Sequence, residues 1–158
     1  MNADPNKNKE TNMERHRPLV LVADDDEDIL ELVRFRLARS GYDTICAHDG
    51  TQALALASER LPDVAVLDVG MPGLDGVGVT ERMRSNEPTK HIPVILLTAS
   101  ANPGDVAKGM SAGAEDYVTK PFSPEMLESR VSAVLKAAAA LREPARLNSV
   151  IRRAGAVG

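Results

Sequence analysis

Five short apolar runs recur along the chain, and each is followed by a polar or glycine-bearing break. They are Leu19–Ala23, Thr44–Ala47, Val64–Leu67, Val94–Leu97 and the weaker Asp116–Thr119. Runs of this length between turn signals predict strands buried on both faces, as in a parallel sheet. Between them the apolar spacing changes to three and four, the period of a helix with one buried stripe. Asp26 is a plausible N-cap, with Glu27 and Asp28 in the first turn, for a helix running to about Ser40. Its stripe is Leu30, Val33 and Leu37 with Ile29 alongside, and Gly41 ends it. Asp49 and Gly50 open a second helix through Arg60, with Ala53, Leu54 and Ala57 inward and Pro62 as its stop. A third helix is expected from about Val77 to Ser85, followed by a polar loop over Asn86–His91.

The fourth helical stretch, Pro103–Ser111, contains Gly104 and Gly109, which lower its propensity, so mobility is expected there. Ser123 caps a fifth helix that has Pro124 at its first position and Leu127, Val131, Val134 and Leu135 on its apolar face. Strand and helix thus alternate five times. The expected fold is α/β: a doubly wound, five-stranded parallel sheet of order 2-1-3-4-5, a flavodoxin-like (βα)5 unit with right-handed crossovers.

Composition bounds this picture at both ends. Residues 1–17 are rich in Asn, Lys and Glu with almost no apolar content, and a disordered tail is expected. Residues 18–140 form the folded domain. Residues 141–158 carry Pro144, Gly155, Gly158 and four arginines, and read as a helix extension or a linker. The 158 residues carry a net charge of -4, which argues against non-specific nucleic-acid binding. A single cysteine, Cys46, excludes a disulfide framework; it lies in an apolar run and reads as core packing. No stretch approaches the roughly 20 apolar residues of a membrane span, and no secretory leader is visible, so a cytoplasmic protein is expected.

The candidate chemistry lies where the strands end. Strands one, three, four and five end on Asp24–Asp25, Asp68, Thr98 and Lys120. Ligands of open parallel sheets bind beyond the carboxyl ends of the strands, so the fold gathers these groups on one edge. Three clustered carboxylates repel each other and call for a cation; all-oxygen ligands in a water-accessible site suit Mg²⁺. Asp68 stands alone on the middle strand before a Gly- and Pro-rich loop and is the natural nucleophile of a phosphoryl transfer. Asp24 and Asp25 are the natural metal holders. Lys120 and the Thr98 hydroxyl would neutralise and hydrogen-bond the transferring group.

The pieces LVADDDEDI (Leu21–Ile29), LDVGMPGLDG (Leu67–Gly76), VILLTAS (Val94–Ser100), AGAEDYVTKPF (Ala112–Phe122) and the last helix together resemble the receiver domain of two-component response regulators. The last helix most resembles receivers of the subfamily with winged-helix output domains. The resemblance implies phosphorylation of Asp68 by a histidine kinase or phosphotransfer protein. It implies Mg²⁺ held by Asp25, Asp68 and the Gly70 carbonyl, with Asp24 acting through water. It also implies a cis Lys120–Pro121 bond, and a switch in which Tyr117 turns inward as Thr98 moves toward the phosphoryl group. The surface of the fourth helix, fifth strand and fifth helix would then change, and in the resembled subfamily that surface forms a symmetric dimer at positions matched by Asp116 and Arg130. Gly70 departs from the pattern, since the family usually has a side chain two residues after the phosphorylated aspartate. A short-lived phosphoryl group is therefore expected.

Three other readings are weaker. A haloacid dehalogenase-type hydrolase needs a second aspartate where Gly70 stands. A flavin binder needs a phosphate cradle after strand one, where this chain places three aspartates. A P-loop protein needs GxxxxGK[ST], which the sequence lacks. A receiver-like adaptor that is never phosphorylated remains as the alternative within the same fold, although the full acidic set with Thr98 and Lys120 speaks against it.

Overall fold

In the computed structural model, which describes residues 17–155 and their side chains as far as Leu141, β1 (Leu19–Ala23) lies between β2 (Asp43–Ala47) and β3 (Val64–Asp68). Outside β3 come β4 (Val94–Thr98) and then β5 (Asp116–Thr119), so the five parallel strands run in the order 2-1-3-4-5. Between them run α1 (Glu27–Arg39), α2 (Gly50–Arg60), α3 (Gly76–Arg84) and α4 (Pro103–Ser111), and α5 (Pro124–Gly155) closes the chain.

The strands alternate strictly between the two faces of the sheet. Val20 and Val22 in β1, Val64 and Val66 in β3, and Ile95 and Leu97 in β4 pack with Leu30, Val33 and Leu37 of α1 and Leu127, Val131 and Val134 of α5. The odd residues of β1 and β3, with Val94 and Leu96, pack instead with Ala53 and Ala57 of α2 and Val79 and Met83 of α3. Each fully buried Leu or Val contributes about 1.5–3 kcal/mol relative to exposure. Burial on both faces explains why the strands read as continuous apolar runs.

The caps follow the sequence closely. Asp26 accepts a hydrogen bond from the Asp28 amide at 3.0 Å, and Asp49 one from the Gln52 amide at 2.7 Å. Gly41, at φ +95°, sits just past α1, where the Tyr42 amide donates to the Leu37 carbonyl and the Gly41 amide to the Ala38 carbonyl. That is a Schellman closure, and it needs a left-handed residue at this position.

Several boundaries differ from the expectation. β2 starts at Asp43 and α3 at Gly76, one residue before Val77, because Asp75 caps it by accepting from the Gly78 amide. The helix of Pro124 runs through Gly155, so most of the expected extension or linker is continuous with α5. Residues 1–16 of the expected tail lie outside the described residues. Its last residue, Arg17, is anchored: it donates to the Ala38 carbonyl at 2.9 Å and pairs with Asp43 at 3.3 Å. Cys46 is half-buried against the α1–α5 side of the core, and that partial burial pushes its thiol pKa up.

Candidate functional site

Backbone bonds to the neighbouring strand fix the strand ends that carry the site. The Asp24 amide donates to the Ala47 carbonyl beyond β1, the Val69 amide to the Leu97 carbonyl beyond β3, and the Lys120 amide to the Thr98 carbonyl at 2.7 Å. The parallel register therefore brings Asp24, Asp68, Thr98 and Lys120 to one edge. Gly76 lets α3 start against this edge: a Cβ there would lie 2.5 Å from the Asp68 carbonyl oxygen.

Carboxylate oxygens of Asp24, Asp25 and Asp68 lie within 4.8 Å of one another. Asp24 and Asp68 are buried, and Asp25 is exposed. One oxygen of Asp24 accepts from the Asp26 amide at 2.9 Å; the other accepts from Lys120 Nζ at 2.8 Å. Lys120 Nζ also lies 3.2 Å from Asp68 Oδ1, which accepts from the Gly70 amide at 3.1 Å. Burial is the largest influence on Asp68 and raises its pKa; the Asp24 charge adds to it, outweighing the Gly70 amide and Lys120. For Lys120, burial pulls down, but the bond to Asp24 and the two carboxylate charges prevail, and its pKa is raised. The pair thus favours a charged lysine beside an aspartate whose negative charge is under strain. This donor set fits a small hard cation: three carboxylates in reach of one point, with the Gly70 carbonyl on the adjoining loop and open access on the Asp25 side.

The Thr98 hydroxyl points into the following loop. It donates to the Ser100 carbonyl and accepts from the Ser100 amide, both at 3.1 Å. Tyr117, paired with Leu96 in the sheet register, is 37% exposed and borders a small void beneath α4. The Lys120–Pro121 peptide is cis. Asp116 and Arg130 pair with each other inside the chain at 3.3 Å.

A cleft of about 710 Å³ opens beside Asp68, bounded by Gly70, Gly78, Thr98, Ser100 and Lys120. A larger groove of about 920 Å³ lies between β5, α4 and α5, but its lining is mostly apolar and holds none of the strand-end groups. Chemistry, not size, selects the smaller cleft.

Two features of the surroundings escaped the sequence reading. The grip of the Ser100 backbone on Thr98 is one; its signal is the spacing Thr98, Ser100, Asn102, Gly104, turn-forming residues two apart. The other is Arg84, at the end of α3, which reads as an ordinary last-turn cation. It donates to the Gly113 carbonyl at 2.8 Å and the Ile92 carbonyl at 2.7 Å and pairs with Glu115 at 2.9 Å.

A family model for the response regulator receiver domain matches residues 20–132. The chain belongs to this family. As a receiver domain of two-component systems, it is similar to the alkaline phosphatase synthesis transcriptional regulatory protein PhoP of Bacillus subtilis (strain 168). The two are 44% identical over 117 residues, 74% of this chain and 48% of that protein. The chain spans about half the length of the curated relatives it matches. Among solved receiver structures, that of the Francisella response regulator 1452 is 38% identical with a TM-score of 0.72, covering 77% of this chain and 98% of that one. The receiver domain of the sensor histidine kinase PA1611 from Pseudomonas aeruginosa PAO1 is 29% identical with a TM-score of 0.70, covering 76% and 98%. That receiver carries a magnesium ion coordinated in its active-site cleft. Among the described residues of this chain, no helix is long and apolar enough to cross a membrane.

Proposed function

We propose that this receiver takes a phosphoryl group onto Asp68 from a phosphohistidine of a partner kinase or phosphotransfer protein, in the cytoplasm and with Mg²⁺. An Asp68 carboxylate oxygen attacks phosphorus, the bond from phosphorus to the donor's imidazole nitrogen breaks, and that nitrogen keeps the electron pair. The observation that carries this reading is the pair of buried carboxylates, Asp24 and Asp68, bridged by Lys120 at the strand ends of a receiver-family chain. Asp25, Asp68 and the Gly70 carbonyl would hold the ion, with Asp24 acting through water; bound there, it supplies positive charge against the incoming phosphoryl oxygens. Lys120 neutralises a further oxygen, and Thr98 leaves Ser100 to hydrogen-bond the group.

The new dianion favours the arrangement in which Thr98 and Lys120 close on it, and Tyr117 follows Thr98 inward, changing the α4–β5–α5 surface. Residues 18–140 are the unit that switches. Two copies would pair through this surface, with Asp116 and Arg130 exchanging their internal bond for one across the interface. Its net charge of -4 makes this chain itself a poor direct binder of nucleic acid.

The test is intact mass after incubation with acetyl phosphate and Mg²⁺, beside Asp68→Asn and a metal-free sample. One phosphoryl group that requires both Asp68 and metal is expected. No gain, with no beryllofluoride binding either, would leave the adaptor reading instead. A monomeric sedimentation profile in beryllofluoride and Mg²⁺ would sink the dimer.

A further inference from the structure

We propose that Glu81 and Asp105 choose the phosphodonor, favouring one whose leaving group carries an N–H over one whose leaving group departs as an anion. The inference rests on the phosphoacceptor reading and adds the class of donor that the same site accepts.

Asp68 attacks phosphorus in line, so the leaving atom lies on the far side of the phosphoryl group from the Asp68 oxygen. The cleft of about 710 Å³ beside Asp68 is the room that takes the leaving group. Small residues keep it open, since Gly70, Gly78, Ala99 and Ser100 all belong to its lining. The helix α3 contributes Glu81 to the lining, and α4 contributes Asp105 and Lys108.

The other charges at this cleft are already engaged. Asp75 caps α3 by accepting from the Gly78 amide at 2.8 Å. Lys120 is held between Asp24 and Asp68. Glu81, Asp105 and Lys108 differ: all three are exposed, and among the described residues none of them is in an ion pair. Their charges are available to whatever enters. Two carboxylates against one ammonium leave the outer cleft negative.

Asp105 has a second effect. It stands in the first turn of α4, whose N-cap is Asn102. A bare helix N-terminus attracts an anion, but a carboxylate in the first turn meets that positive end and offsets the attraction. The end of α4 that borders the cleft therefore does little to draw in a negative group.

The two classes of donor respond in opposite ways. In N-phosphorylimidazole, a stand-in for phosphohistidine, the bond from phosphorus to nitrogen breaks and that nitrogen keeps the electron pair. The proton on the other ring nitrogen stays in place, so imidazole departs neutral. That N–H can donate to Glu81 or Asp105, and a carboxylate accepting from it favours the protonated, reactive form of the donor. In acetyl phosphate the bond from phosphorus to the bridging oxygen breaks, the oxygen keeps the pair, and acetate departs as an anion. The same two carboxylates repel that donor as it approaches and its acetate as it forms.

The test compares second-order rate constants for N-phosphorylimidazole and acetyl phosphate, followed by intact mass at saturating Mg²⁺. Glu81→Gln and Asp105→Asn should each lower the ratio of imidazole rate to acetyl rate about threefold, and the double variant about tenfold, as befits exposed charges near the reacting group. Lys108→Gln should raise the ratio about threefold. In about 1 M KCl the variants and the wild type should converge on one ratio, because the Debye length is then only about 3 Å. Glu59→Gln removes an exposed carboxylate on α2, outside the cleft, and should leave the ratio unchanged. An unchanged ratio in both Glu81→Gln and Asp105→Asn, or an equal shift in Glu59→Gln, overturns the donor choice alone, provided that Asp68 still takes a phosphoryl group. No phosphoryl group from either donor in the wild type overturns the phosphoacceptor reading, and the donor choice with it.

Discussion

The Lys120 ammonium lies 2.8 Å from Asp24 Oδ2, and Asp24 has no exposed surface. A buried carboxylate in that position depends on its cation, because an unpaired buried charge is far more costly than the pair is favourable. Lys120→Gln should therefore destabilise the metal-free protein by about 1–3 kcal/mol, less than for a fully enclosed pair because the lysine side chain keeps some exposure. Mg²⁺ should recover more stability in the variant than in the wild type. Thermal melts with and without Mg²⁺ read both effects, and equal magnesium stabilisation of the two proteins would contradict the account.

Asp68 leads to the opposite sign. Its folded pKa is raised by burial and then by Asp24, above an unfolded value of about 3.9. Between those two values the native state binds more protons than the unfolded state, so stability falls as pH rises through the window. The penalty is absent below the unfolded pKa and complete above the folded one. Metal-free Asp68→Asn escapes it and should be the more stable protein at pH 7, with its advantage closing as pH falls toward 4. Denaturant melts of both proteins across that range decide; a pH-independent gap would remove the electrostatic explanation.

At Gly70, a Cβ would stand 3.8 Å from both Asp68 carboxylate oxygens, in ordinary contact and free of clash. The site has space for a side chain that would screen the phosphoryl group from water. Gly70→Asn or Gly70→Met should slow loss of the group severalfold, measured by following the phosphorylated mass after acetyl phosphate is removed. An unchanged rate would show that water reaches the site by another path.

Gly50 and Gly76 admit no such addition. A Cβ at Gly50 would come within 1.9 Å of the Leu74 carbonyl oxygen, and one at Gly76 within 2.5 Å of that of Asp68. In both cases backbone must move. Gly50→Ala should cost about 3 kcal/mol or more, whereas Gly109→Ala, which meets only the tip of Leu96, should cost about 1 kcal/mol after its gain in helix propensity. Gly76→Ala should also slow phosphorylation, since it displaces the strand end that carries Asp68 while removing no functional group. Chemical denaturation and the mass assay separate the two kinds of damage.

The strand ends were legible because period and position agree. LVLVA followed by Asp24, and VAVL followed by Asp68, state both a buried strand and the point where it meets water, and parallel order then puts those points side by side. Close approaches were not legible. Nothing local says that Gly76 must lie against Asp68, or that Arg84 reaches Gly113 and Glu115, 29 and 31 residues away. Those contacts exist only once the helices are laid on the sheet. The exposure of Tyr117 is of the same kind, since it depends on where α4 rests rather than on the alternation within β5.

The sheet that separates Val20, Val22, Val64 and Val66 from Leu21, Ala23, Ala65 and Leu67 also divides the molecule's tasks. One half-core supports α1 and α5 and the other supports α2 and α3, and α4 touches the second through Leu96. They share strands but not side-chain interlocks. Substitutions that reshape the outer surface of α1 can therefore accumulate without disturbing the seat of α4. Each half-core can therefore drift in sequence with its own helices while the strands common to both stay fixed.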